Sequence, residues 1–160
     1  MLSEKQSKIF NGLKEIGEEI SSFCFDAVKI LVESSPLKSK ANLIAHLARE
    51  IDSGLREVFA PNDLKVLKEK ELGKDAGHFA SILVALGREP SDPLAKKWHS
   101  IATKFAGVAH HRRAYMPAKD VSEIVPLWKE YEEILEKLIG SFYGMSDRLK
   151  QFTLQDNVSS

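Results

Sequence analysis

Cysteine occurs once in the 160 residues, as Cys24, so no disulfide can form within the chain. Cys24 stands between Phe23 and Phe25. Apolar neighbours raise a thiol's pKa, so a buried, reduced thiol is expected there rather than a nucleophile. No apolar run approaches the ~20 residues that a membrane-spanning helix needs. The opening stretch, MLSEKQSKIF, lacks the basic segment and apolar core of a secretory leader. An intracellular, cytoplasmic protein with no membrane partner is therefore expected. Net charge is missing as well, because 23 Lys and Arg balance 23 Asp and Glu. Coating of nucleic acid is driven by a basic excess, so the neutral total argues against it and leaves room only for a local basic site. Metal and phosphate-loop signatures are also lacking: there is no HExxH, no Glu-x-x-His and no glycine-rich P-loop or dinucleotide loop. Asp75-x-x-His78 has a ligand-like spacing, but Asp75 is better explained as a helix N-cap. No metal and no cofactor is expected.

Strand signals are absent too. Period-2 alternation does not occur, β-branched residues never cluster, and helical spacing runs almost throughout. Ser3 and Gln6 form the spacing of a capping box. Behind them Ile9, Leu13, Ile16, Ile20, Phe23, Ala27 and Ile30 or Leu31 make a narrow 4-3 stripe, which predicts one long helix ending at Ser34-Ser35-Pro36. Gly12 and Gly17 weaken that helix by about 1 kcal/mol each and leave room for a close neighbour. A second helix is predicted from about Ser39 to Phe59, with Ile44, Leu47, Ile51, Leu55 and Val58 inward. Asp63–Leu72 reads as a short exposed helix stopped by Gly73. Phe79, Ile82, Leu83 and Leu86 mark the next helix, closed by Gly87. Asp92-Pro93 starts a fifth, carrying Trp98, Ile101, Phe105 and Val108. The last begins near Asp120–Ser122, with Pro126 in or near its first turn and a stripe from Ile124 through Trp128 and Tyr131 to Phe142. The expectation is an all-α bundle of five to six helices forming a single domain over residues 1–160, with 1–3 and about 151–160 fraying. The polar end fits a longer parent chain as well as a free terminus.

Charge is segregated within this neutral chain. Between Pro93 and Lys119 there is no Asp or Glu, but there are Lys96, Lys97, Lys104, Arg112, Arg113 and Lys119, with His99, His110 and His111. One account is a basic helix lying beside the acidic helix that follows. The other is a surface that attracts phosphate. At 100° per residue, His99, Thr103, Ala106, His110 and Arg113 share one polar line, with Lys96 a turn earlier. Lys104 and His111 fall on another line near the apolar stripe. Histidine is the usual acid or base near neutral pH. Paired with a cation it suits RNA cleavage, where the 2′-hydroxyl is an internal nucleophile and no metal is required. The plainer account makes His110 and His111 solvated residues of a helix C-terminus, favoured by the macrodipole. His46, beside the second helix's apolar face with Arg49 one turn on, is read as partly buried and satisfied. Trp98 and Trp128 are read as core.

KFAGVAHHRRAY (104–115), ANLIAHLAREIDSGLREVF (41–59) and HFASILVALGREPSDPLAKKWHSIATKFAGVAHHRR (78–113) together resemble the HEPN superfamily of small helical domains, including those at the front of large bacterial, defence-related proteins. That resemblance implies a homodimer. It also implies either an interaction module or a metal-independent ribonuclease with an Arg-x4–6-His motif. The histidine would be His110 or His111, and the arginine position falls on Lys104, a departure because lysine lacks the planar fork. Two functions follow as expectations. The first is a HEPN-like interaction or dimerisation domain of a bacterial defence or stress protein, without a complete catalytic motif, whose basic face meets an acidic protein partner. The second is a ribonuclease using His110 or His111 with Lys104, while Lys96, His99, Arg112 and Arg113 hold RNA phosphate.

Overall fold

A computed structural model describes residues 2–33, 39–60, 77–110 and 121–159, the last stretch with side chains to Gln151. Six helices and no strand occur among them: α1 (Glu4–Ile16), α2 (Glu18–Val32), α3 (Lys40–Phe59), α4 (Gly77–Ala85), α5 (Leu94–Ala109) and α6 (Val121–Ser159). The chain is an all-helical bundle around one continuous core cluster. No helix among the described residues is long and apolar enough to cross a membrane.

The predicted first helix is in fact two. The capping box forms as expected, with Ser3 Oγ accepting from the Gln6 amide at 3.1 Å and Gln6 Oε1 accepting from the Ser3 amide at 3.0 Å. The chain then turns at Gly17, which is extended at φ −170°, ψ 123°. The Phe10 and Phe25 rings, far apart on one straight helix, meet at 5.6 Å between centroids. Each arm buries part of the stripe, so a 4-3 pattern that spans the turn reads as unbroken in sequence. Close approach rests on small residues. A Cβ on Gly12 would overlap Ile139 of α6, and one on Gly54 of α3 would stand 2.6 Å from Ile20 Cγ1.

α3 is the central helix, in contact with α2, α4, α5 and α6. Its buried face is Ala41, Ile44, Ala45, Ala48, Ile51, Leu55 and Phe59. Three alanines bring neighbours close, while Leu47 is only partly covered and Val58 is exposed, contrary to the expected face. The expected helix at Asp63–Leu72, with Gly73 and Asp75, lies outside the described residues. α4 ends in a Schellman motif: Gly87 sits at φ +85°, its amide bonds the Val84 carbonyl at 3.0 Å, and the Arg88 amide bonds the Leu83 carbonyl at 2.8 Å. α5 starts as Asp92-Pro93 predicted, with Asp92 Oδ1 accepting from the Leu94 amide at 2.9 Å and Oδ2 from Arg88 at 2.8 Å. α6 runs 39 residues, through the tail expected to fray, and holds Pro126 near its first turn, as its sixth residue. Trp98, Phe105, Trp128 and Tyr131 are buried as expected. Phe105, Trp128 and Tyr131 pack edge to face at 5.4–6.4 Å.

Candidate functional site

The site begins with a carboxyl on the inward side of α3. Asp52 follows Ala48 by one turn on the face that is otherwise apolar. The residue as a whole is half-buried, but its Oδ1 reaches inside, accepting from Trp98 Nε1 at 2.9 Å and from the Tyr131 hydroxyl at 2.5 Å. The tryptophan and the tyrosine bring polar atoms into the core, and one oxygen receives both. Burial pushes the Asp52 pKa up to about 7, against the two hydrogen bonds, which pull it down. The Tyr131 hydroxyl is held well above its ordinary value by burial and by the Asp52 charge. Burial, with a smaller contribution from the Glu132 charge, pushes Cys24 up to about 12, which leaves it a core thiol as expected.

α3 and α5 run antiparallel beside Asp52. At one end Asn42 Nδ2 donates to the Ala109 carbonyl at 3.4 Å, and at the other Asp52 holds Trp98. Between them the predicted polar line of α5, His99, Thr103 and Ala106, faces Arg49, Ser53 and Arg56 of α3 across a groove of about 300 Å³. His78 and Phe79 of α4 close its wall, and the Phe79 ring lies 5.8 Å from that of His99. The Thr103 hydroxyl is committed to the His99 carbonyl at 2.9 Å.

His110 caps α5 in an extended conformation, φ −99° and ψ 102°, so the helix stays regular past Gly107 and ends at Ala109, one residue before the first histidine. Arg49 Nη1 lies 2.9 Å from His110 Nε2. Arginine has no acceptor, so Nε2 accepts and carries no proton in this arrangement, which puts the ring proton on Nδ1. A guanidinium therefore stands beside the histidine after all, delivered by α3 rather than by the preceding turn of α5.

The other expected residues scatter. Lys104 lines a different groove, between α5 and α6, with Val108, Ile124, Leu127 and Glu130, so the expected Lys104–His110 partnership does not form. The two are six residues apart and about 120° apart around the helix, which turns them to different neighbours. Lys96 is exposed, and Lys97 pairs with Glu133 of α6 at 3.7 Å, so the acidic-neighbour account covers that lysine. His99 joins the groove. His111, Arg112 and Arg113 lie outside the described residues. His46 is exposed rather than partly buried. Arg49, Asp52 and Arg56 were not singled out by sequence for this site. The one cue was an acid at the i+4 position from Ala48 on an apolar face. No protein-family model matches the chain, and no curated protein or solved structure matches it at a significant level.

Proposed function

We propose that the protein is a HEPN-like, RNA-directed helical domain that cleaves single-stranded RNA without a metal, with His110 as base and Arg49 as the phosphate-binding cation. The observation that carries this reading is the 2.9 Å contact between Arg49 Nη1 and His110 Nε2. A phosphodiester arriving at the pair offers the guanidinium better acceptors than an imidazole nitrogen does. Arg49 moves onto the phosphoryl oxygens and releases Nε2. The freed Nε2 takes the proton of the adjacent 2′-hydroxyl, whose oxygen attacks phosphorus. The bond to the 5′-oxygen breaks, that oxygen takes a proton from solvent or from His110, and the products are a 2′,3′-cyclic phosphate and a 5′-hydroxyl. Arg49 meets the charge that develops on the phosphoryl oxygens.

The test is a denaturing-gel assay with mixed RNA in EDTA. Wild type should cleave, and His110→Ala and Arg49→Ala should each lose at least about 100-fold while keeping their helical spectrum. No cleavage by folded wild type, or a loss that follows His111→Ala and spares His110→Ala, would refute the assignment.

A second reading is favoured by the separation of Lys104 from His110. The position that the resemblance gives to arginine does no work beside the histidine, as in an interaction or dimerisation module. In that reading the groove takes an acidic segment of a protein partner or of a second copy, and wild type shows no cleavage at any concentration.

A further inference from the structure

The His110–Arg49 pair stands at one end of a longer groove. Arg56 follows Arg49 by seven residues on the same side of α3, which is about 10 Å along the axis at ~1.5 Å per residue. Arg56 is half-buried at the groove's other end, with His99 of α5 and His78 of α4 around it. Neither Arg49 nor Arg56 forms an ion pair with a carboxylate among the described residues. The one acid lining the groove among the described residues, Asp52, has its Oδ1 turned inward onto Trp98 and Tyr131. A half-buried arginine with no carboxylate counter-ion among the described residues, walled by two imidazoles, presents donors in a fork that suits an external oxyanion.

We propose that the Arg56–His99–His78 end of the groove is a second phosphate subsite, holding a phosphate of the same RNA strand about 10 Å from the one at Arg49 and His110. This rests on the ribonuclease reading and deepens it by naming the substrate class. A stacked strand advances ~3.4 Å per nucleotide, so 10 Å is about three nucleotides, and fewer if the strand is extended. The substrate is a single-stranded oligonucleotide longer than a dinucleotide, lying along α3.

The experiment compares cleavage of a dinucleotide and a tetranucleotide by wild type, Arg56→Ala and Arg56→Lys, each checked for fold by circular dichroism. Wild type should show a KM about tenfold lower for the tetranucleotide, the worth of one charge-assisted contact. Arg56→Ala should abolish that length preference, and Arg56→Lys, which keeps the charge, should restore most of it. In parallel, binding of a labelled tetranucleotide is followed across KCl concentrations. The slope of log K against log salt should be shallower by about 0.7 in Arg56→Ala, because one fewer phosphate is neutralised. Lys8→Ala on α1 changes the net charge equally and should leave the slope alone. Equal KM for both lengths in wild type, or an unchanged slope in Arg56→Ala, overturns the subsite. Arg56-dependent binding without any cleavage sinks the ribonuclease reading and leaves the subsite standing, whereas no binding overturns both.

Discussion

Replacing Asp52 with Asn removes a titration while keeping an oxygen for the Trp98 and Tyr131 donors. The Asp52 pKa is pushed from 3.8 up to about 7 by burial. Between those two values the folded chain holds a proton that the unfolded chain has released, so stability falls as pH rises. The contribution is fully present below about pH 4, declines by about 1.4 kcal/mol per pH unit, and is gone above about pH 7. The gap between the two values sets an upper figure of about 4 kcal/mol. Asn cannot ionise and matches the protonated acid in shape, so the variant should lie close to wild type at pH 4 and be the more stable protein at pH 8. Urea unfolding of both proteins, at half-unit steps from pH 4 to 9, gives the difference directly, and common titrations such as that of Glu132 cancel in it. A difference that stays flat over this range, or that grows toward acid, would show that the Asp52 carboxyl is not held in the core as described. Asp52→Ala should behave differently. It strands the buried Trp98 Nε1 donor at about 1–3 kcal/mol at every pH, while the Tyr131 hydroxyl keeps the Ala48 carbonyl at 3.3 Å.

Gly54→Ala places a methyl 2.6 Å from Ile20 Cγ1, so the α2–α3 contact must open. A loss of about 1–3 kcal/mol in chemical denaturation is expected. Gly87→Ala puts a side chain at φ +85° and 3.1 Å from Arg148 Nη2, and should lower stability by about 1 kcal/mol or more. Cys24 should resist a disulfide reagent in the native protein and react at once in denaturant, since it is 3 % exposed with its pKa near 12. Prompt native reactivity would contradict its burial in the core.

Periodicity carried most of the fold. The stripes of α5 and α6, the Asp92-Pro93 start and the Gly87 stop all came from local rules, and local contacts satisfy them. The hairpin at Gly17 escaped because a glycine costs a helix only about 1 kcal/mol, less than what two helices gain by burying one stripe from both arms. The groove was half legible. His99, Thr103, Ala106 and His110 share a line by helical geometry alone. Arg49, Asp52 and Arg56 belong to it only because α3 packs against α5, which lies far along the chain, a packing outcome that no spacing within either segment records. Lys104 misled for the same reason. The motif position implied by the resemblance paired it with His110 or His111, whereas the turn of the helix sets it about 120° from His110 and against α6.

One oxygen, Asp52 Oδ1, joins α3 to α5 through Trp98 and to α6 through Tyr131. Releasing α3 strands the Trp98 indole N–H, and releasing α5 or α6 breaks one of the two buried bonds to that oxygen, so partial opening is penalised and the three come apart together. Their slowest amide protons should exchange at a common rate set by global unfolding. The α1–α2 hairpin contributes nothing to that junction, so it is free to exchange faster as a separate cooperative unit. The groove walls thus sit on the most reluctant part of the molecule, which suits surfaces that must hold Arg49 and His110 in place before any anion arrives.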